Sequence, residues 1–444
     1  MSAGDRVDWD QGLAIAQLLL SPRAWAFRRV ESIEFVDVQT VRRRVSLDFD
    51  VAAAPGLVHL RKVVPFALLA RETPVKFDLF DGTGARTSLL TSAQSRAATY
   101  WALAALARRV LRVTPRPGTL DGLRALAFAS DRAVAESLVV DFETATVADP
   151  EWAALLEDED FGRWIYTLVD SFILFAPVTP GRRILKFTYL TQVERARGMR
   201  ARIVRVLGSF GWLPIRYVFP TPALGETASY HLEVAAPDGL SLVAADLWVH
   251  PSEPEYELPL VKPVPGFRTI AHFYVAGGES EDRGVALLTV GAPARSLVTV
   301  SAAACLLVAV LLSIVAAVPL EGLVDLGDAT SIFLAFPGLL ALAAIRTGEH
   351  PVLRYVLSGL RAIVIVCGVA TLVAALQIAI GLTETCLHED LARWVGTSLC
   401  VRPSIGWWAI VAWACTALLV PPFVSAVAGR SLARYFRPFG RRTE

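Results

Sequence analysis

The sequence predicts an α+β protein: an antiparallel β-sandwich-like domain on the cytoplasmic side, carrying a helical insertion, followed by a four-helix transmembrane bundle. Three observations predict it. Residues 30–92 and 161–295 alternate apolar and polar positions, with glycine and proline at the turns. Residues 93–160 change to the three-and-four apolar spacing of helices. Residues 296–428 hold four long apolar runs, and a basic tail, 429–444, follows.

Residues 1–29 read as a short helix and lead-in. The apolar run from Leu13 to Leu20 is interrupted by Gln17 and ended by Ser21-Pro22, so it is expected to be a helix and not an export signal. In the first strand set, Val45, Leu47, Phe49 and Val51 share one face, with Arg44, Ser46, Asp48 and Asp50 opposite. That is the period-two pattern of a half-buried strand. VKFDLF, the Asp81-Gly-Thr-Gly turn and ARTSLL read as a hairpin that closes a β-meander. The insertion opens with a helix through Tyr100, Leu103, Ala104, Ala107 and Leu111, stopped by Pro115 and Pro117. Shorter helices are expected over 121–129 and 132–140 and from about Pro150. Residues 161–175 read as a buried strand or helix, and ILKFTYL as a strand. TASYHLEVAAPDGLSLVAADLWV reads as a hairpin about Pro237-Asp238-Gly239. FRTIAHFYVA and VALLTV are further strands.

The apolar runs are 297–318, 329–345, 362–382 and 405–428, and none carries an ionisable side chain. At about 1.5 Å per residue, the first spans about 30 Å, the thickness of a hydrocarbon core. The second is short and contains Pro337-Gly338, so a re-entrant path is an alternative there. Lys/Arg-rich loops stay in the cytoplasm. The loop 319–328 has no basic residue, whereas 346–361 carries Arg346, Arg354 and Arg361, and the tail carries five arginines. The expected location is therefore the bacterial inner membrane, multi-pass, with both termini inside. Cys386 and Cys400 share the outer loop 383–404 and are expected to form a disulfide, contributing about 3 kcal/mol in the chain-entropy model. Cys305, Cys367 and Cys415 lie within runs and read as small packing residues.

A net charge of +1 gives no signal for nucleic acid. Only four of the 43 basic residues are lysine, which fits a GC-rich coding bias. No P-loop, C-x-x-C, H-E-x-x-H or G-x-S-x-G motif occurs, and no cofactor or metal is implied. Uncharged runs speak against ion-coupled transport, and Gln377 reads as an interhelical hydrogen-bonding residue. Two groups of residues remain as candidates. His231 and Glu233 fall on one strand face, and His250 and His272 on nearby strands, where pairing could assemble a two-histidine, one-carboxylate site; the competing reading is ordinary histidines on a polar face. Arg195, Arg197, Arg200, Arg202 and Arg205 form a basic cluster, read either as a solvated strand or hairpin face or as a patch facing anionic lipid headgroups. Arg42-Arg43-Arg44 and the helix face with Arg108, Arg109 and Arg112 are weighed in the same way.

At ILKFTYL, SYHLEV-x-x-PDGL and FDLFD-x-x-G, the chain resembles multi-pass membrane proteins of GC-rich bacteria to which no function is assigned. The resemblance covers much of the chain and carries no site residues. The leading functional expectation is a membrane-tethered cytoplasmic binding or scaffold module, with the bilayer, anionic headgroups and other membrane proteins as partners. The alternatives are an enzyme acting on lipid or envelope precursors at the histidine-bearing sheet, and a transport subunit that is not ion-coupled.

Overall fold

The computed structural model describes residues 7–51, 63–71, 77–178, 181–193, 199–221, 223–250, 258–259, 269–276, 283–291, 297–317, 335, 337–339, 350–379 and 403–427. The part before residue 297 is a mixed α/β structure. Helix α1 (Trp9–Leu20) starts where the Asp8 side chain accepts from the Gln11 N–H, and it leads through the single turn α2 (Pro22–Trp25) into strand β1 (Ala26–Phe35). The buried Trp25 indole donates to the Leu18 carbonyl at 2.9 Å, fixing the helix end against the strand start. β2 (Thr40–Phe49), β3 (Val63–Ala70) and β4 (Asp78–Asp81) follow.

The helical insertion forms as its spacing predicts. α3 (Ser92–Leu111) opens with a capping box between Thr91 and Gln94 and ends at Arg112, held left-handed at φ 57°. α4 (Pro117–Phe128), α5 (Arg132–Ala145), α6 (Pro150–Glu157) and α7 (Glu159–Asp170) start at proline or at a capping aspartate: Asp131, Asp149 and Asp158. Each cap satisfies an N–H that the helix leaves unpaired. Phe142 stacks on Trp152 at 4.0 Å. A side chain at Gly122 would meet both rings, which is why the position is glycine. Residues 161–175 resolve into both alternatives: α7, then strand β5 (Ser171–Pro177).

The remaining elements are β6 (Arg183–Gln192), α8 (Met199–Ser209), β7 (Ile215–Thr221), β8 (Ser229–Ala235), β9 (Ser241–His250), β10 (Leu258–Pro259), β11 (Ile270–Ala276) and β12 (Arg283–Gly291). Six strands pair in the order β11-β8-β1-β2-β6-β4, four as β10-β9-β12-β7, and β3 pairs with β5.

This corrects three expectations. The strands do not form a wholly antiparallel sandwich, because β1 and β8 run parallel, with Val30 opposite His231. The first quarter is not a meander: β4 pairs with β6, and only an isolated bridge, Phe80 to Arg86, answers it in the predicted hairpin. Nor is Pro237-Asp238-Gly239 a hairpin turn. The chain turns there, with Gly239 at φ +82°, but passes from the six-stranded sheet to the four-stranded one. The alternation had only reported that both strands are half-buried; it carries no information on which neighbour each takes.

Inner side chains of the two larger sheets share a core that includes Ile33, Phe35, Phe219, Leu232, Leu247 and Leu288. The other half of the six-stranded sheet packs through Val45, Leu47, Phe49 and Phe187 on Phe66 of β3 and Leu18 of α1.

Beyond residue 296, α9 (Leu297–Ala317), α10 (Pro351–Val356), α11 (Ser358–Ala379) and α12 (Pro403–Val427) are described. Two helical stretches, Val298–Ala317 and Ser358–Gln377, are long and apolar enough to cross a membrane, and a shorter apolar stretch, Gly406–Pro421, lies in α12. Among the described residues this is short of the predicted four-span bundle. Of the second predicted span only 335 and 337–339 are described; they are helical, and Gly338 packs on the Gly368 carbonyl and Leu372 of α11. Cys305, Cys367 and Cys415, one from each long helix, are buried free thiols, with Cys367 in contact with the other two. Cys386 and Cys400 lie outside the described residues, and no disulfide occurs among the described ones. Gln377 accepts from the Trp408 indole at 3.2 Å, and Ser313 from Trp413 at 2.9 Å, so polar groups do tie helix to helix.

Among the described residues, four contacts fasten the strand-rich part to this helical part. His350 caps α10 and its Nε2 lies 2.9 Å from the Phe35 carbonyl. Gly239 sits against Leu353, and Gly359 against Phe210. The Trp212 indole donates to the Leu418 carbonyl of α12 at 2.8 Å. That carbonyl would ordinarily accept from residue 422, but Pro422 has no N–H.

Candidate functional site

Odd-numbered residues of β2 point inward. Val41, Val45, Leu47 and Phe49 are buried as their apolar character requires, and Arg43, on the same face, is buried with them. On β1 the same parity places Arg29 and Glu31 beside Ile33 and Phe35. Tyr189 of β6 and Tyr230 of β8 complete a polar band that divides the two apolar halves of the sheet's inner face.

The band is built about the Glu31 carboxylate, whose side chain is 2% exposed. Arg43 Nη1 donates to Glu31 Oε1 at 2.7 Å, and the Tyr230 hydroxyl donates to Oε2 at 3.0 Å. Arg43 Nη2 donates to the Pro220 carbonyl at 2.9 Å. Arg29 Nε stands 3.7 Å from Glu31 Oε2, an ion pair without a hydrogen bond, and its guanidinium lies over the Phe187 ring. Burial pushes the Glu31 carboxyl up, but Arg43, Arg29 and the Tyr230 hydrogen bond pull it further down, so it stays ionised below the usual carboxylate range. Burial works against the Arg29 charge, yet Glu31 and Glu226 raise its pKa overall. Burial, with Glu31 adding to it, holds Tyr230 well above the ordinary phenol range, and burial likewise raises Tyr189. Both phenols are therefore neutral, and the buried group holds two cations and one anion.

Arg29, Arg43 and Tyr189 of this band line a cavity of about 410 Å³. The opposite wall comes from the end of α1, from α2, β3, α7 and β5, where Trp25, Phe66, Leu69, Trp164 and Ile173 supply apolar surface. A few convergent polar groups in a largely apolar concavity of this size is the usual form of a small-molecule site. The rim charges are answered: Arg163 pairs with Asp160 at 2.6 Å and Asp170 with Arg132 at 3.1 Å.

The histidine candidates fall elsewhere. His231 and Glu233 do share a face of β8. Tyr274 stands opposite His231 on β11, its ring tilted against the imidazole with centroids 4.6 Å apart, while His272 stands opposite Glu233, with Nδ1 3.7 Å from Oε2. Burial, then Arg28, lowers the His231 pKa. None of these lines the cavity. His250 ends β9, in the other sheet, and its side chain lies outside the described residues. No group of three or more His, Cys, Asp or Glu among the described residues is placed to hold a metal ion.

The basic cluster divides. Arg195 and Arg197 lie outside the described residues, as do the side chains of Arg200 and Arg205. Arg202 is exposed on α8, so the element is a helix and not the strand or hairpin expected. Met199, Ile203 and Val206 are exposed on that helix at 80%, 51% and 56%. Arg42 and Arg44 pair with Glu34 on the surface. Arg108 covers the Trp9 ring and Arg109 pairs with Asp160, both on the helical insertion.

Sequence reasoning missed Arg29, Glu31, Arg43, Tyr189 and Tyr230. The signal was parity: Arg43 occupies an inward position of a strand whose other inward residues are all apolar. No protein-family model matches the chain, and no curated protein matches it.

Proposed function

We propose that this protein is a multi-pass inner-membrane protein, both termini inside, whose cytoplasmic domain binds a small molecule in the cavity between the six-stranded sheet and the helical insertion. The observation that carries this reading is the cavity itself, lined on one side by Arg29 and Arg43, which pair with Glu31 behind them, and on the other by aromatic and aliphatic side chains. The membrane part of the reading is supported by the two apolar helices and by the apolar stretch of the third. It is further supported by the alternation of arginine in the loops. The exposed Met199, Ile203 and Val206 recur at helical spacing beside Arg202, the pattern of a helix lying at a lipid interface, and α8 adjoins the start of α11 through Phe210 and Gly359. Anionic headgroups are then the partners of its arginines.

The test is native mass spectrometry of the full-length protein from lipid nanodiscs. A bound small molecule is expected on the parent chain and lost from Ala67→Trp, which fills the cavity. An adduct equally abundant in that variant, or a bare parent chain, would refute the ligand site. For orientation, Val140→Cys, exposed on α5, should react with an impermeant maleimide in inverted vesicles and not in spheroplasts; the opposite result overturns it.

A further inference from the structure

We infer that the cavity takes a small organic anion with an apolar body, its charged group received by Arg29 beside the Arg43–Glu31 pair. The inference rests on the reading of the cavity as a ligand site and names the chemistry of what fills it.

Three observations converge. First, the buried side-chain atoms of cavity-lining residues that lack a hydrogen-bond partner are all donors: Arg29 Nε, Arg43 Nε and Trp164 Nε1. Buried donors of this kind are seldom left unmet in a folded protein. The complementary molecule brings acceptors. Second, the two carboxylates near Arg29 leave it without a hydrogen-bonded partner among the described residues. Glu31 already receives Arg43 and Tyr230 through hydrogen bonds, whereas Arg29, with its side chain 8% exposed, makes none among the described residues. Glu226, half-buried at the cavity edge, adds to the field on Arg29 without hydrogen-bonding it. A guanidinium so placed suits a planar oxyanion, which it can meet with two parallel N–H bonds. Third, the facing wall is apolar away from the rim, where Arg163 and Asp170 stand in ion pairs. Phe66, Leu69 and Ile173 offer nothing to a second charge, so the rest of the ligand is hydrocarbon or aromatic. A cationic ligand seated at Arg29 and Arg43 would meet two guanidinium groups, with the Glu31 carboxylate between them already hydrogen-bonded.

The experiment uses the full-length protein in nanodiscs of zwitterionic lipid and four probes: octanoate, octanamide, octylammonium and acetate. Thermal unfolding is followed against probe concentration. Octanoate is expected to raise the midpoint and to bind at least about tenfold more tightly than octanamide, the scale of a charge-assisted over a neutral hydrogen bond. Octylammonium should give no shift, and acetate a shift only at far higher concentration. Arg29→Gln should abolish the octanoate shift, and Arg29→Lys should retain part of it. The parent-chain comparison stands even if a variant fails to fold. Equal binding of octanamide, or preference for octylammonium, overturns the anion while leaving the cavity as a ligand site. Acetate matching octanoate overturns the apolar body. No shift with any probe overturns the proposal outright. The cavity reading itself falls on the separate ground that Ala67→Trp keeps its adduct.

Discussion

Replacing Trp212 by phenylalanine isolates a single hydrogen bond between the soluble domain and the helical part. The indole donates to the Leu418 carbonyl at 2.8 Å. Within α12 that carbonyl has lost its ordinary partner, because residue 422 is proline. Phenylalanine keeps the ring and removes the donor. The carbonyl then stands unpaired in a helix among apolar residues, a loss of about 1–3 kcal/mol for a buried acceptor and less where water reaches it. A Trp212→Phe variant is therefore expected to lose about 1–2 kcal/mol in equilibrium unfolding in bicelles, followed by far-ultraviolet circular dichroism. The loss alone would not prove the cause, since ring packing changes as well. Pro422→Ala supplies the missing N–H from within the helix. In that background Trp212→Phe should cost markedly less, with a coupling of about 1 kcal/mol, well above the few tenths expected of independent sites. Equal costs in the two backgrounds would refute the reasoning, because the indole would then be packing and not replacing a helical donor.

Glu31→Gln removes the carboxylate from between two buried guanidinium groups, and a loss of about 3–5 kcal/mol in denaturant unfolding is expected. The same group sets a pH dependence. Its carboxyl is held below its ordinary value of 4.5, so its contribution to stability is present above that pH and disappears as pH falls through the lower folded value; midpoints between pH 7 and 3 would check it, with Glu31→Gln flatter than the parent. Gly239→Ala places a Cβ 2.8 Å from Leu353 at a positive φ, so about 1–2 kcal/mol should be lost, with faster hydrogen exchange where the sheets meet α10. Replacing Arg29, Glu31 and Arg43 together by Met, Leu and Met should leave unfolding stability equal or up to about 4 kcal/mol higher while abolishing octanoate binding.

How much of this was legible follows from what each pattern encodes. The helices of the insertion could be read as helices from their spacing, but not to their ends: Pro117, read as a stop, opens α4 four residues before the expected start, and α5 runs to Ala145 and not 140. The strands could be read as strands, since period two needs only one buried face. Their partners could not. Nothing local distinguishes a turn joining two strands of one sheet from the Pro237–Gly239 turn that moves between sheets, because that choice is made by contacts with β1 and β12, far away in sequence. From Met199 on, the arginine-rich stretch is helix and not strand or hairpin for a related reason: its charge masks the spacing of Met199, Ile203 and Val206. Arg42-Arg43-Arg44 hid the site, since a run of three arginines reads as surface, and only strand parity sets the middle one apart.

The cost of that middle arginine bears on what the cavity is for. Two guanidinium groups and a carboxylate below a tenth exposed are expensive to desolvate, and an apolar trio of similar volume would serve packing as well or better. The surrounding sheet shows that such a trio would fit, for Val41, Val45 and Leu47 flank Arg43 on β2 and Ile33 follows Glu31 on β1. The charges are therefore not what closes the core. They stand where the sheet's two apolar halves part, at the wall of the cavity, with Glu31 answered and Arg29 lacking a hydrogen bond among the described residues. A group that stability alone would replace, placed where a ligand can reach its neighbourhood, is what the proposed binding function calls for.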